Sequence, residues 1–156
     1  MLNFASYCWL SFLSLLSADW RPVSSLVPSS SAIQIKSNAN LSCGSTDHPI
    51  ISGYFSVPQS TAQLFFSLFP SEQPGLIITF EGGPGASGFD FPFIGAGPCQ
   101  LGDNGKLERA EHPWTDEASL LVLDYPVGAG WSFANDLGDV PDSAMWAAEE
   151  FDDFLQ

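Results

Sequence analysis

Three parts of this chain carry residue types with chemical use: Glu81-Gly82-Gly83-Pro84-Gly85, Leu123-Asp124-Tyr125-Pro126-Val127-Gly128, and the separated Cys43 and Cys99. Consecutive glycines directly after an apolar run let a backbone N–H point into a cleft with no Cβ in the way. Stabilising a developing oxyanion requires such a donor. Pro84 has no N–H to donate, so Gly82 and Gly83 are the candidate donors, and the rigid ring behind Gly83 singles that residue out. Rival uses fit less well. A phosphate-binding loop would show G-x-G-x-x-G or a closing Gly-Lys-Ser/Thr, and Glu81 would repel the phosphate. A tight turn needing positive φ, with nothing bound, accounts for the bare glycines equally well. The nucleophile that an oxyanion hole serves is missing. G-x-S-x-G occurs nowhere, and Gly85-Ala86-Ser87-Gly88 and Gly130-Trp131-Ser132-Phe133-Ala134 both depart from that pattern. Cysteine and histidine show no metal-ligand spacing, and His48 and His112 read as solvated loop residues, so neither metal nor cofactor is expected.

Both glycine loops follow short apolar runs. Leu76–Phe80 and Ser119–Asp124 read as strands buried on both faces. Two such strands with loops at their C-terminal ends predict an α/β fold with a mostly parallel sheet, whose ligands gather at that edge. Ahead of them, Ile51–Val57 and Ala62–Phe69 alternate and predict an antiparallel hairpin. The stretch from Ala86 to Ala118 predicts a short helix plus loops. From Asp142 to Gln156 the pattern turns helical. Asp142 or Ser143 caps it, Ala144, Ala147, Ala148, Phe151, Phe154 and Leu155 form its apolar stripe, and Glu149, Glu150, Asp152 and Asp153 supply a solvated face. That inventory is small for a parallel-sheet domain and predicts the N-terminal part of a larger one.

Composition narrows the partners. With 156 residues the chain suits one domain, and 13 Phe, 5 Trp and 3 Tyr commit it to packed structure. Acidic residues outnumber basic ones by 18 to 4, a net charge of -14, which excludes nucleic acid and anionic membranes as attractive partners. Residues 1–18 read as a secretory signal peptide, since the apolar run Phe4–Leu16 is too short to span a membrane. Residues 19–49, rich in Ser, Pro and Asn, read as an irregular segment leading into a domain at 50–156. Loss of the leader removes Cys8 and leaves Cys43 and Cys99, whose pairing the sequence leaves open.

Taken in order, Ser52–Val57, Leu64–Phe69, Glu81–Ser87, Gly97-Pro98, Pro113-Trp114 and Leu123–Ser132 resemble the serine carboxypeptidase family. These are α/β-hydrolases that remove C-terminal residues from peptides at acidic pH. Glu81–Ser87 departs from the family's Asn-Gly-Gly-Pro-Gly-Cys-Ser at Glu81 and Ala86. The resemblance covers residues 50–156 and implies the N-terminal part of an α/β-hydrolase sheet, truncated before the nucleophile elbow. The family places its Gly-Glu-Ser-Tyr-Gly shortly after the terminal helix, and its Asp and His later. The missing C-terminal part of the domain is then a partner the chain needs. By the same resemblance Gly83 is the oxyanion donor, and Gly82 supplies the N–H that holds the substrate's terminal carboxylate. Asp124, Gly128 and Gly130 belong to a loop lining the cleft, and Cys43 lies near a family cysteine bonded to one much further on. The family's carboxylate-recognising Asn, Trp and Glu correspond here to Glu81, Thr79 and Gly95. An ionised Glu81 would repel that carboxylate. The expected function is therefore serine-type carboxypeptidase action on a peptide C-terminus, with this chain alone inactive. An acyl hydrolase or acyltransferase on the same fold and a non-catalytic truncated product are the alternatives. The expected location is secreted, with a vacuole or lysosome-like compartment as the alternative.

Overall fold

The computed structural model describes residues 33–156; the expected leader and residues 19–32 lie outside the described residues. In chain order the strands are β1 (Ile33–Cys43), β2 (Thr46–Ser56), β3 (Ala62–Phe69), β4 (Leu76–Phe80), β5 (Cys99–Leu101), β6 (Leu107–Arg109), β7 (Ser119–Leu123) and β8 (Phe133–Ala134). Among the described residues one α-helix, α1 (Ala144–Leu155), follows, and three 3-10 turns cover Gly88–Ile94, Trp114–Asp116 and Leu137–Asp139. The main sheet runs β1-β2-β3-β7-β4, with β8 added beside β3, and β5 and β6 form a separate small hairpin.

The sheet is mixed. The expected parallel pairing is present between β4 and β7, from Leu76↔Ser119 to Phe80↔Leu123. The expected hairpin of β2 with β3 is antiparallel, and β3 joins β7 antiparallel as well. Residues 33–49 correct the irregular reading of that segment. They form most of a long hairpin, paired from Ile33↔Phe55 to Cys43↔Thr46 and closed through Gly44 at φ +70°. Asn and Ser are poor strand formers, so pairing with β2 and a covalent tie at Cys43 override local preference here.

All five residues of β7 are buried, as its composition predicts. Leu120 and Val122 pack with Phe69 and Ala96 on one face, and Leu121 and Leu123 pack with Phe66 on the other. Removing a side chain as enclosed as Leu123 would cost about 2–5 kcal/mol. β4 departs from the same expectation. Its ends Leu76 and Phe80 are 54 % and 43 % exposed, because among the described residues β4 is the sheet's edge strand, hydrogen-bonded on the β7 side alone. An apolar sequence says a strand can be buried; its neighbours decide whether it is.

Helix α1 begins where the cap signal placed it. The Ser143 hydroxyl accepts the Trp146 N–H at 3.3 Å. Phe151 and Phe154 lean on Phe80, Tyr125 and Phe55 through edge-on and tilted aromatic contacts. Glu150 corrects the reading of a wholly solvated acidic face: it is 2 % exposed. Its carboxyl accepts the Val127 N–H, Oε2 has no partner among the described residues, and Glu150 lines a small cavity with Val57, Asp139, Trp146, Glu149 and Asp153. Burial pushes the Glu150 carboxyl up to about 7; Val127 opposes the shift, and the charges of Asp153 and Asp139 add to it. The Tyr125 hydroxyl is raised too, by burial and by Glu150.

A carboxyl raised on folding contributes stability that is complete below its ordinary value of 4.5 and is lost as pH rises through about 7. The span corresponds to a loss on the order of 3 kcal/mol. Urea unfolding of the protein should therefore show its midpoint falling across that interval, and Glu150→Gln should flatten the fall. Superimposable pH profiles for the two proteins would show that Glu150 does not govern it.

Candidate active site

The site is organised by a carboxylate at the C-terminal end of β7. Asp124 is 1 % exposed. Its Oδ1 accepts the Ser87 hydroxyl at 2.7 Å and the Gly88 N–H at 2.8 Å, while Oδ2 accepts the Trp131 N–H at 2.7 Å. The backbone closes the same knot. Asp124 N–H donates to the Phe65 carbonyl at 3.1 Å, the Ser132 hydroxyl donates to the Asp124 carbonyl, and the Phe65 N–H donates to the Ser132 oxygen at 2.7 Å. One residue thus ties the loop after β4, the loop after β7 and strand β3 together.

Two glycines make this approach possible. A Cβ on Gly130, which sits at φ +50°, would overlap the Asp124 carboxylate, and one on Gly88 would overlap the Leu123 carbonyl. Side chains at either position would push the loops apart.

These bonds relocate Asp124. It was expected to line the cleft toward substrate; its oxygens instead point inward and are taken by loop donors, so it positions the loops. The two serines considered as nucleophiles are committed as well. Ser87 donates to Asp124 and caps the Gly88–Ile94 turn through the Phe89 N–H, and Ser132 is 3 % exposed with its hydroxyl bonded on both sides.

The glycine loop stands beyond the clamp. Gly82 through Ala86 are exposed, Gly83 sits at φ +121° and Gly85 at φ +106°. Only glycine holds such angles without strain, so the backbone fixes the residue type at Gly83. Gly82 has an ordinary φ and nothing within 4 Å of where a Cβ would be. The loop's own turn joins the Ala86 N–H to the Gly82 carbonyl at 3.4 Å. Among the described residues no internal hydrogen bond uses the N–H of Gly82 or of Gly83. Both N–H groups are thus free, among the described residues, in an exposed loop at the C-terminal edge of the sheet.

Thr79 and Glu81 lie two residues apart at the end of β4, both partly buried beside this loop. Gly95 ends the Gly88–Ile94 turn in the left-handed region at φ +114°. Among the described residues no hydrogen bond joins these three positions. Cys43 and Cys99 form a disulfide, with Cα atoms 5.7 Å apart and both residues buried. The distant partner that resemblance suggested for Cys43 is therefore replaced by Cys99. The bridge fixes the Gly97-Pro98 segment, where a Cβ on Gly97 would come within 2.7 Å of the Pro92 carbonyl oxygen.

His48 is in β2 rather than a loop, and its Nε2 lies 3.4 Å from Arg109, which also bridges to Asp116 at 2.9 Å. That grouping joins residues too distant in sequence to show a local signal. Among the described residues no group of three or more His, Cys, Asp or Glu could hold a metal, and no helix is long and apolar enough to cross a membrane.

Comparison with known proteins converges on one family. A family model described as serine carboxypeptidase matches residues 44–156. Serine carboxypeptidase-like 49 of Arabidopsis thaliana is 32% identical over 108 residues, covering 67% of this chain and 21% of that protein. Pheromone-processing carboxypeptidase kex1 of Aspergillus oryzae is 36% identical over 100 residues, 59% of this chain and 16% of its own length. The crystal structure of Kex1(delta)p, a prohormone-processing carboxypeptidase from Saccharomyces cerevisiae, superposes with a TM-score of 0.57 at 26% identity, over 69% of this chain and 27% of that one. The chain thus spans about a fifth of the length of the curated relatives it matches.

Replacing Asp124 with Ala leaves three donors without an acceptor in a dry site. Hydrogen bonds to charged groups are worth about 1.5–3 kcal/mol each. Asp124→Ala should therefore destabilise the protein by roughly 3 kcal/mol or more, and Asp124→Asn should lie between it and wild type because one side-chain oxygen remains. Denaturant midpoints measure both; a loss below about 1 kcal/mol for Asp124→Ala would contradict the clamp.

Proposed function

The chain belongs to the serine carboxypeptidase family, and from that membership we propose that the whole protein hydrolyses the C-terminal peptide bond of its substrate. The observation that carries the proposal is the free N–H of Gly83, held at φ +121° in an exposed loop that the Asp124 clamp positions. As the scissile carbonyl becomes tetrahedral, negative charge grows on its oxygen. A preoriented N–H stabilises that charge without reorganising at the moment of reaction. The Gly82 N–H, one residue earlier, is placed to hold the substrate's terminal carboxylate. Serine attack, proton transfer and acyl-enzyme hydrolysis require a nucleophile and base that these 156 residues do not present at the necessary spacing. The chain as it stands supplies a wall of the cleft and its donors.

Glu81 favours a second reading. It stands where the family's carboxylate-binding Asn is expected, and no Lys or Arg occurs in residues 76–100 to neutralise it. An ionised Glu81 beside Gly82 would oppose a substrate carboxylate and suit a neutral acyl group, which is what an acyl hydrolase or acyltransferase accepts.

Two measurements test these readings. The chain alone should leave activated esters and blocked dipeptides intact from acidic to neutral pH. Turnover that a serine-directed phosphonylating reagent abolishes, with one serine labelled, would overturn this. In the protein completed by its catalytic segment, KM for peptide acids should climb toward neutral pH while KM for the matching amides stays nearly flat, and Glu81→Gln should remove most of the difference. Parallel acid and amide profiles in both proteins would show that Glu81 does not face the carboxylate. A wild type preferring amides or esters at every pH would establish the second reading.

A further inference from the structure

We propose that Asn40, on the exposed outer strand of the sheet, is an N-glycosylation site. Among the chain's asparagines, Asn40-Leu41-Ser42 alone has the Asn-x-Ser/Thr acceptor pattern with no proline between. The fold gives the pattern an address. Leu41 packs toward the Phe69–Leu120–Val122 cluster and Cys43 is buried, so strand alternation turns Asn40 and Ser42 to the opposite face, where both are exposed. Cys43 is also disulfide-bonded to Cys99. Such a bond belongs to an oxidising compartment, which is where oligosaccharide is transferred to asparagine.

The edge itself supplies a reason for modification. β1 is an 11-residue strand whose one neighbour among the described residues is β2, and among those residues nothing pairs with its other side. Long free edges invite pairing with another chain and are blunted by charge or by bulges. The first half of β1 has both, in Lys36 and in the bulge between Ile35 and Ser37. From Asn38 to Cys43 there is neither, and an oligosaccharide on Asn40 would sweep across that half.

In the transfer, the anomeric carbon of a lipid-diphosphate-linked oligosaccharide forms a C–N bond with Asn40 Nδ2. The C–O bond to the lipid diphosphate breaks, the amide gives up one proton, and the lipid diphosphate leaves; no electrons are exchanged.

The test supplies entry to the compartment, so it does not depend on the chain's own leader or on the proposed peptidase activity. The full chain, preceded by a cleavable secretory signal, is translated with endoplasmic-reticulum microsomes, and the protease-protected fraction is analysed. The expected result is one upward mobility step that peptide-N-glycosidase removes, leaving Asp at position 40. Asn40→Gln and Ser42→Ala should both lose the step, and Ser42→Thr should keep it. A protected wild-type chain without the step, or a step that persists in Asn40→Gln, would overturn the proposal. Glycosylated protein should also keep its size on concentration while Asn40→Gln associates; equal behaviour of the two would remove the edge-shielding role.

Discussion

The order of the loops at the C-terminal edge of the sheet depends on a buried carboxylate with three donors around it. Among the described residues Asp124 has no basic partner, and its attraction is for one hydroxyl and two backbone N–H groups drawn from two different loops. Backbone donors are fixed in direction, so satisfying this acceptor determines where each loop must run. Gly88 and Gly130 are the complement of that acceptor: lacking side chains, they let the loop backbones come close. The exposed Gly82-Gly83-Pro84-Gly85 segment then springs from a rigid base, although nothing in the turn itself is buried. Oriented hydrogen bonds from a loop need such a foundation, because misplacement by a fraction of an ångström weakens them.

The sheet explains why these loops meet. β4 and β7 are parallel neighbours, so their C-terminal ends emerge side by side and their loops share one edge. β3 crosses the same point antiparallel and contributes the Phe65 carbonyl and N–H to the knot. On the far side the Cys43–Cys99 bridge ties the outer hairpin to the segment that follows the Gly88–Ile94 turn. The turn is thus held at its start by Asp124 and near its end by a covalent bond.

Parts of the molecule whose residues satisfy their own local rules were legible in the sequence. β7 reads as a strand covered on both faces because every residue in Ser119–Leu123 can be buried, and it is. The left-handed turn at Gly83 was legible because positive φ is a property of one residue and its neighbours. β1 was illegible for the converse reason: its order comes from β2 and a disulfide, neither of which Asn- and Ser-rich composition announces. β4 was read as doubly covered because hydropathy reports the tolerance of a strand, whereas exposure follows from its place at an edge. Asp124 was found but misread. A strand-end acid beside glycines signals a site, yet whether it faces ligand or loop depends on where Ser87, Gly88 and Trp131 come to rest.

Glu150 and Asp124 show how the same side-chain chemistry takes two roles under equal burial. Asp124 is ringed by donors, so its surroundings favour an acceptor and the loops follow. Glu150 has one donor, the Val127 N–H, against the negative charges of Asp139 and Asp153 and an oxygen with no partner. Burial therefore raises its carboxyl to about 7, at the point where α1 sits on the loop after β7. Val127 lies three residues beyond Asp124 on that loop, so the seat of α1 and the clamp share a single short piece of backbone. Among the described residues these two carboxyls are the buried charged side chains, and they lie where screening is weak. The helix contact is thus where a raised carboxyl enters the fold, while the clamp that sets loop geometry is built from hydrogen bonds alone.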